Sequence, residues 1–294
     1  MLITLDNGQI RVCVDTLGAQ LMSVVKDGTE YLWQGDSNYW KGRAPVLFPV
    51  IGRLWKGCCC YDGKTYEMGI HGFARHLEFA VQEKTAERLA LSLVANADTQ
   101  ACYPFDFSFE IIYHLKESTL ITSYHINNLG TTVMPFAVGG HPGFNVPFCE
   151  GTSFEDYYLE FTQPCYPDRI GFSDEVLVSG NDTRYELKND RYIPLSHNLF
   201  DSDAIILKNM CREVTLRSAK TSKYLTVSYP DMPYIGFWHM PKTDAPYVCI
   251  EPWTSLPGRQ DVIEDLACKS DLCRIEPGNS YQNVWTITIG GAKE

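Results

Sequence analysis

From Phe105 to Leu115 the chain alternates, with Phe105, Phe107, Phe109, Ile111, Tyr113 and Leu115 falling on one side and Asp106, Ser108, Glu110 and His114 on the other. Successive side chains of a strand point to opposite faces, so a period of two held over this length predicts a long antiparallel β-strand lying over a core. Shorter runs of strand type occur at 89–94, 120–127, 133–138, 157–161, 214–216, 224–229, 247–250 and 284–289. No long segment carries the 3.6-residue apolar period of an amphipathic helix. In the N-terminal third, Asn7-Gly8, Asp27-Gly28 and Asp62-Gly63 are the dipeptides favoured by two-residue type I′ turns, which predicts three successive β-hairpins.

Strands that never alternate with helices exclude a parallel sheet with crossover connections, and 17 Tyr, 14 Phe and 6 Trp suit broad sheet faces. The expected fold is all-β, a single large antiparallel β-sandwich. A length of 294 residues fits one large β domain or two ordinary ones. No Ser/Gly linker, charge block or repeat divides the chain, so one domain over 1–294 is expected, with the polar, turn-rich stretch 173–202 as an excursion from it.

The formal net charge of −11, with no basic run, argues against nucleic acid or an anionic membrane as partner. A small neutral ligand, or one anionic at a single point, is expected instead. The first residues lack the basic and apolar regions of a signal peptide, and about 18 consecutive apolar residues, the minimum for a membrane span, occur nowhere. A cytoplasmic location is the expectation. The 11 cysteines include no Cys-x-x-Cys pair, and the adjacent side chains of Cys58-Cys59-Cys60 would point to alternate faces of a strand. No metal site is expected there. His71, His76 and His141 likewise fall in no zinc-binding pattern.

The chemistry-bearing residues stand in segments punctuated by Gly and Pro, which force φ, permit positive φ or let backbone approach a ligand closely. Glu251 follows the apolar run Tyr247-Val248-Cys249-Ile250 and precedes Pro252-Trp253. It is expected at a strand end, where burial would raise its pKa toward that of a useful base; a surface or capped carboxylate is the alternative. His141, within Gly139-Gly140-His141-Pro142-Gly143-Phe144, is a candidate general acid near neutral pH. His71 precedes Gly72 at the end of an apparent hairpin, placed to orient or polarise a substrate oxygen. Arg53 ends the run Phe48-Pro49-Val50-Ile51-Gly52 and could either grip sugar hydroxyls or sit in a buried ion pair. Trp33, Trp238 and Trp253 could stack on the apolar face of a pyranose or fill the core.

Four ordered segments, Phe48-Pro49-Val50-Ile51-Gly52-Arg53, His71-Gly72-Phe73-Ala74-Arg75, His141-Pro142-Gly143-Phe144 and Cys249-Ile250-Glu251-Pro252-Trp253, give the chain a resemblance to the aldose 1-epimerase (mutarotase) superfamily, in its branch of bacterial LacX-like proteins. The resemblance spans nearly the whole chain. It implies a large antiparallel β-sandwich of the galactose mutarotase type, with a sugar cleft on one face and no cofactor. It also implies Glu251 as base, His141 as acid, His71 as the second family histidine and Arg53 as a substrate-binding arginine. An acidic substrate ligand is implied some tens of residues before the base, where Asp203 is the candidate and Asp201 is close by. Galactose mutarotases carry an Asn beside the binding arginine, and none adjoins Arg53. The form of the His71 segment also occurs in hexose-6-phosphate 1-epimerases, which brings in Arg75 as a phosphate ligand, against the alternative of a loop-supporting ion pair.

The expected activity is interconversion of the α and β anomers of an aldohexose or its phosphate, with acid and base on opposite sides of the hemiacetal. A carbohydrate-binding protein without turnover is the rival from another class. A glycoside hydrolase would need a second carboxylate in a motif as strong as that of Glu251, and the sequence offers none.

Overall fold

The computed structural model describes residues 1–291, so the last three positions of the expected 1–294 domain lie outside the described residues. The alternating segment forms the strand Phe107–Lys116, which pairs with Thr119–Asn128 across its whole length. Phe107, Phe109, Ile111, Tyr113 and Leu115 are buried as the period requires. Phe105 precedes the strand; it follows the one α-helix among the described residues, Ala97–Cys102, and packs against Tyr103 and Tyr61.

These strands belong to a nine-stranded antiparallel sheet that runs, in spatial order, Tyr192–Pro194, Tyr157–Phe161, Glu213–Ser218, Tyr224–Ser228, Ser280–Gly290, Thr119–Asn128, Phe107–Lys116, Arg88–Val94 and Ala80–Lys84. A second large sheet contains Asp168–Arg169, Ile205–Lys208, Tyr234–Trp238, Tyr247–Trp253, Gly139–Gly140 and Val46–Leu47, in that order. The two face each other: Trp285 of the first packs beneath Gly140 of the second, and Phe161 meets Phe237. This is the expected all-β sandwich. One hydrophobic cluster fills it, with Phe48 at the centre of a group formed by Tyr103, Phe107, Phe109 and Phe136. The buried hydroxyls of Tyr103 and Tyr113 donate to the carbonyls of Pro135 and Ala19, so neither is left unsatisfied.

Two of the three expected tight hairpins form. Asp27-Gly28 and Asp62-Gly63 each close a two-residue loop with both φ values positive, as a type I′ turn demands. At Asn7-Gly8 the loop is wider. Asp6 pairs with Arg11, and the Asp6 and Asn7 side chains accept the N–H groups of Gly8, Gln9 and Ile10, so side-chain oxygens replace the tight turn. All 11 cysteines are free, and among the described residues no helix is long and apolar enough to cross a membrane.

Candidate active site

The strand Tyr247–Trp253 is buried along its entire length because it is central in its sheet and covered on both faces. Val248 and Ile250 join the main core, whereas Tyr247 and Cys249 pack with Trp33 and Ala245 on the other side. Glu251 shares this second face by the two-residue period and lies within the strand rather than at its end. The neighbouring strand is interrupted. Gly139 pairs with Trp253 and Gly143 with Cys249, and this register sets His141 directly opposite Glu251. The Pro142 carbonyl accepts the Ile250 N–H and keeps the interruption in line. On the other flank Glu251 faces Gly236, which has no side chain to fill the space above the carboxylate.

The result is a contact of 3.3 Å between His141 Nε2 and a Glu251 carboxylate oxygen, with the residues 9 % and 2 % exposed. The two residues expected as acid and base therefore stand side by side, which differs from the expected placement on opposite sides of the hemiacetal. Trp40 stacks on the His141 ring at 5.0 Å and Trp238 meets it edge-on at 5.9 Å. His141 Nδ1 is buried without a hydrogen-bond partner. Burial holds the imidazole down at about 3, and the Arg75 charge acts in the same direction. Burial, reinforced by the nearby Asp203 carboxylate, pushes Glu251 well above the usual carboxylate range. Both partners are thus driven toward their neutral forms, and the pair titrates as a unit.

His71 reaches the same place from a different segment. Its backbone adopts φ of 62° and its Nδ1 accepts the Gly52 N–H at 3.1 Å. In the neutral ring the remaining proton must then reside on Nε2, a donor not used by that contact. Burial and the neighbouring His141, Arg75 and Arg53 hold its pKa well below the usual histidine value. The ring lies edge-on to His141 at 5.4 Å.

All six residues singled out in the sequence line one cleft of about 340 Å³: Arg53, His71, Arg75, His141, Asp203 and Glu251. Such a volume lies in the range of small-molecule sites. Asp203, at φ of 73°, lines it, whereas Asp201 opens onto an adjoining cleft. Neither arginine is in an ion pair among the described residues, which removes both ion-pair alternatives. Arg53 is exposed, and Arg75, half-buried, donates from Nε to His76 at 3.0 Å. Trp238 and Trp253 are on the cleft wall, and Trp33 supports it from behind by donating its indole N–H to the Trp40 carbonyl. Trp40 itself was not anticipated. Its signal was a pair of large aromatics, Tyr39-Trp40, inside an otherwise polar, turn-rich loop.

Residues 1–266 match the family described as Aldose 1-epimerase. The chain belongs to the aldose 1-epimerase family. The chromosomally encoded protein LacX of Lactococcus lactis subsp. lactis is 34% identical, over 98% of this chain and 99% of its own length. A galactose mutarotase related enzyme from Lactobacillus acidophilus superposes with a TM-score of 0.95 at 35% identity, covering 100% of this chain and 99% of that one. A galactose mutarotase-like protein from Lactobacillus casei gives 0.92 at 30% identity, over 99% and 100%. These relatives place the chain in the LacX-like part of the aldose 1-epimerase family, and the paired sheets are those of the galactose mutarotase-like fold.

Proposed function

We propose that the protein is an aldose 1-epimerase that opens and recloses the ring of a hexose by acid–base catalysis. The observation that carries this reading is the 3.3 Å contact between His141 and Glu251 at the floor of a cleft that also presents His71, Arg53 and Asp203. A hemiacetal carbon bears two oxygens, the anomeric hydroxyl and the ring oxygen, so an acid and a base standing side by side can address both from one side. The pair holds one proton between its two members; with that proton on the imidazole, the Glu251 carboxylate takes the proton of the C1 hydroxyl as His141 delivers its own to the ring oxygen. The bond from C1 to the ring oxygen breaks and C1 becomes the aldehyde. Rotation about C1–C2 and closure with the roles reversed yield the other anomer. The His71 Nε2–H supports the oxygen on which charge develops, and Arg53 and Asp203 hold hydroxyls. No step requires a cofactor.

Arg75 favours a second reading of the substrate. A half-buried guanidinium with no carboxylate partner is suited to an anion, and its fork matches a phosphate bidentately. A hexose phosphate is the form of aldose that would use it.

Polarimetry on freshly dissolved α-glucose, α-galactose and glucose 6-phosphate, with and without protein, tests the activity. Accelerated approach to anomeric equilibrium on at least one sugar is expected. Saturable binding of a sugar with no change in its mutarotation rate would identify a carbohydrate-binding protein instead.

A further inference from the structure

The acid–base pair has a third neighbour that the epimerase reading leaves unused. Cys249 is two residues before Glu251 on the same face of the same strand, and a ligand atom from each of His141, Cys249 and Glu251 lies within 4.8 Å of the other two. We propose that these three side chains form a binding site for a borderline-soft divalent cation of the Zn²⁺ type, and that the ion inhibits by occupying the acid–base pair.

The donor set is one imidazole, one thiol and one carboxyl, the ligand types that Zn²⁺ accepts. Bonds of about 2.0–2.3 Å in tetrahedral geometry place the ligand atoms roughly 3.3–3.6 Å apart. His141 Nε2 and Glu251 already have this spacing at 3.3 Å, and the Cys249 thiol, within 4.8 Å of both, closes the set by a shift of roughly 1 Å. The fourth position would face the cleft that His141 and Glu251 line, which gives the ion its path of entry and leaves room for a water.

Charge favours the same occupant. Cys249 and Glu251 are both buried, where an uncompensated thiolate and carboxylate side by side would be costly. A dication removes the penalty, because with one thiolate, one carboxylate and a neutral imidazole the site has no net charge. The buried His141 Nδ1 has no acceptor to orient the ring, and resident metal sites regularly supply one. This fits an inhibitory ion better than a permanent cofactor. Along the chain the cluster leaves no metal signature, since its ligands come from two strands brought together by pairing.

The inhibitory half of the proposal rests on the epimerase reading, and the binding half does not, so the test reads both. Protein stripped with EDTA is titrated with Co²⁺, whose near-ultraviolet charge-transfer band reports a bound thiolate. One equivalent should produce the band and Zn²⁺ should displace it. Cys249→Ala and Cys249→Ser should lack that increment while keeping the wild-type mutarotation rate in EDTA, and either variant suffices if the other fails to fold. Loss of the thiolate should raise the half-inhibitory Zn²⁺ concentration by about 10-fold or more. The same Co²⁺ band in wild type and variants, or Zn²⁺ inhibition that ignores Cys249, would overturn the site. A Cys249-dependent band in a protein without mutarotase activity would confirm the site and count against the epimerase reading alone.

Discussion

At Glu251, burial makes the charged carboxylate costly, Asp203 adds to that cost, and the imidazole 3.3 Å away is the group best placed to share its proton. Once its proton has passed to the imidazole, a carboxylate whose pKa is raised in this way is a stronger base than an exposed one, which is the reason to expect catalysis from it. Glu251→Gln and His141→Asn should each lower the mutarotation rate by roughly 10²–10⁴-fold with the far-ultraviolet circular dichroism unchanged. A rate near wild type in either variant would remove that residue from the mechanism. Arg75 lacks an ion-pair partner, so its value should appear in substrate choice. Arg75→Ala should raise KM for glucose 6-phosphate by roughly 10–100-fold, the loss of a charged hydrogen bond, and leave that for glucose nearly unchanged. Equal losses on both sugars would leave the phosphate reading without support.

Among the elements, the segment around His71 is held by backbone that tolerates little change. Gly72 has φ of 72°, and a Cβ there would lie 2.2 Å from the Phe48 carbonyl oxygen, since Phe48 and Gly72 form a bridge. Gly72→Ala therefore combines left-handed backbone with a clash against main chain. It should cost about 1–3 kcal/mol or more in a urea titration and displace His71 enough to slow mutarotation. An unchanged denaturation midpoint would show that the segment can relax. The interrupted strand beside Tyr247–Trp253 works differently. Gly140 does not need positive φ; it needs the absence of a Cβ, because Trp285 from the opposing sheet would stand 2.8 Å from one. The glycines around His141 thus lower the backbone onto the core, and the imidazole is left over the carboxylate.

For the whole molecule, keeping two imidazoles and a carboxyl buried and neutral ties stability to pH. His71 and His141 have folded pKa values below 6.5, so the folded state binds fewer protons than the unfolded chain, and their contribution is lost as pH falls below 6.5. Glu251 has the opposite sign. Its folded pKa exceeds 4.5, so its contribution is complete below that value and is lost as pH rises through the folded pKa. Two histidine terms against one carboxyl term make stability rise with pH toward 6.5, with Glu251 opposing that rise from pH 4.5 upward. His71→Asn keeps an acceptor for the Gly52 N–H and removes one titration. It should flatten the acid limb by about 1.4 kcal/mol per pH unit well below pH 6.5, as measured by urea unfolding at pH 5.0–6.5. A variant with the wild-type slope would show that His71 protonates freely in the folded state.

The period of two across Phe107–Lys116, the Asp-Gly turns and the lack of helical periodicity were enough to specify an antiparallel β protein, because alternation and turn chemistry act between near neighbours in the chain. The same local logic singled out Arg53, His71, His141 and Glu251, whose Gly and Pro neighbours restrict the backbone in any fold, whereas Asp203 and Arg75 came only from the family resemblance. It stopped at Asn7-Gly8, where side-chain oxygens of Asp6 and Asn7 widened the loop, and at Trp40, whose stacking on His141 depends on a loop folding back over a distant strand. Which residues touch was decided by pairing between remote segments. Only the register through Gly139–Trp253 and Gly143–Cys249 puts His141 opposite Glu251, and only the packing of one sheet on the other buries that pair and moves both of its pKa values. Desolvation and cross-strand contact are properties of assembled surfaces, so the sequence could supply the groups, and the tertiary structure alone set their distance, their charge and the cation site they form with Cys249.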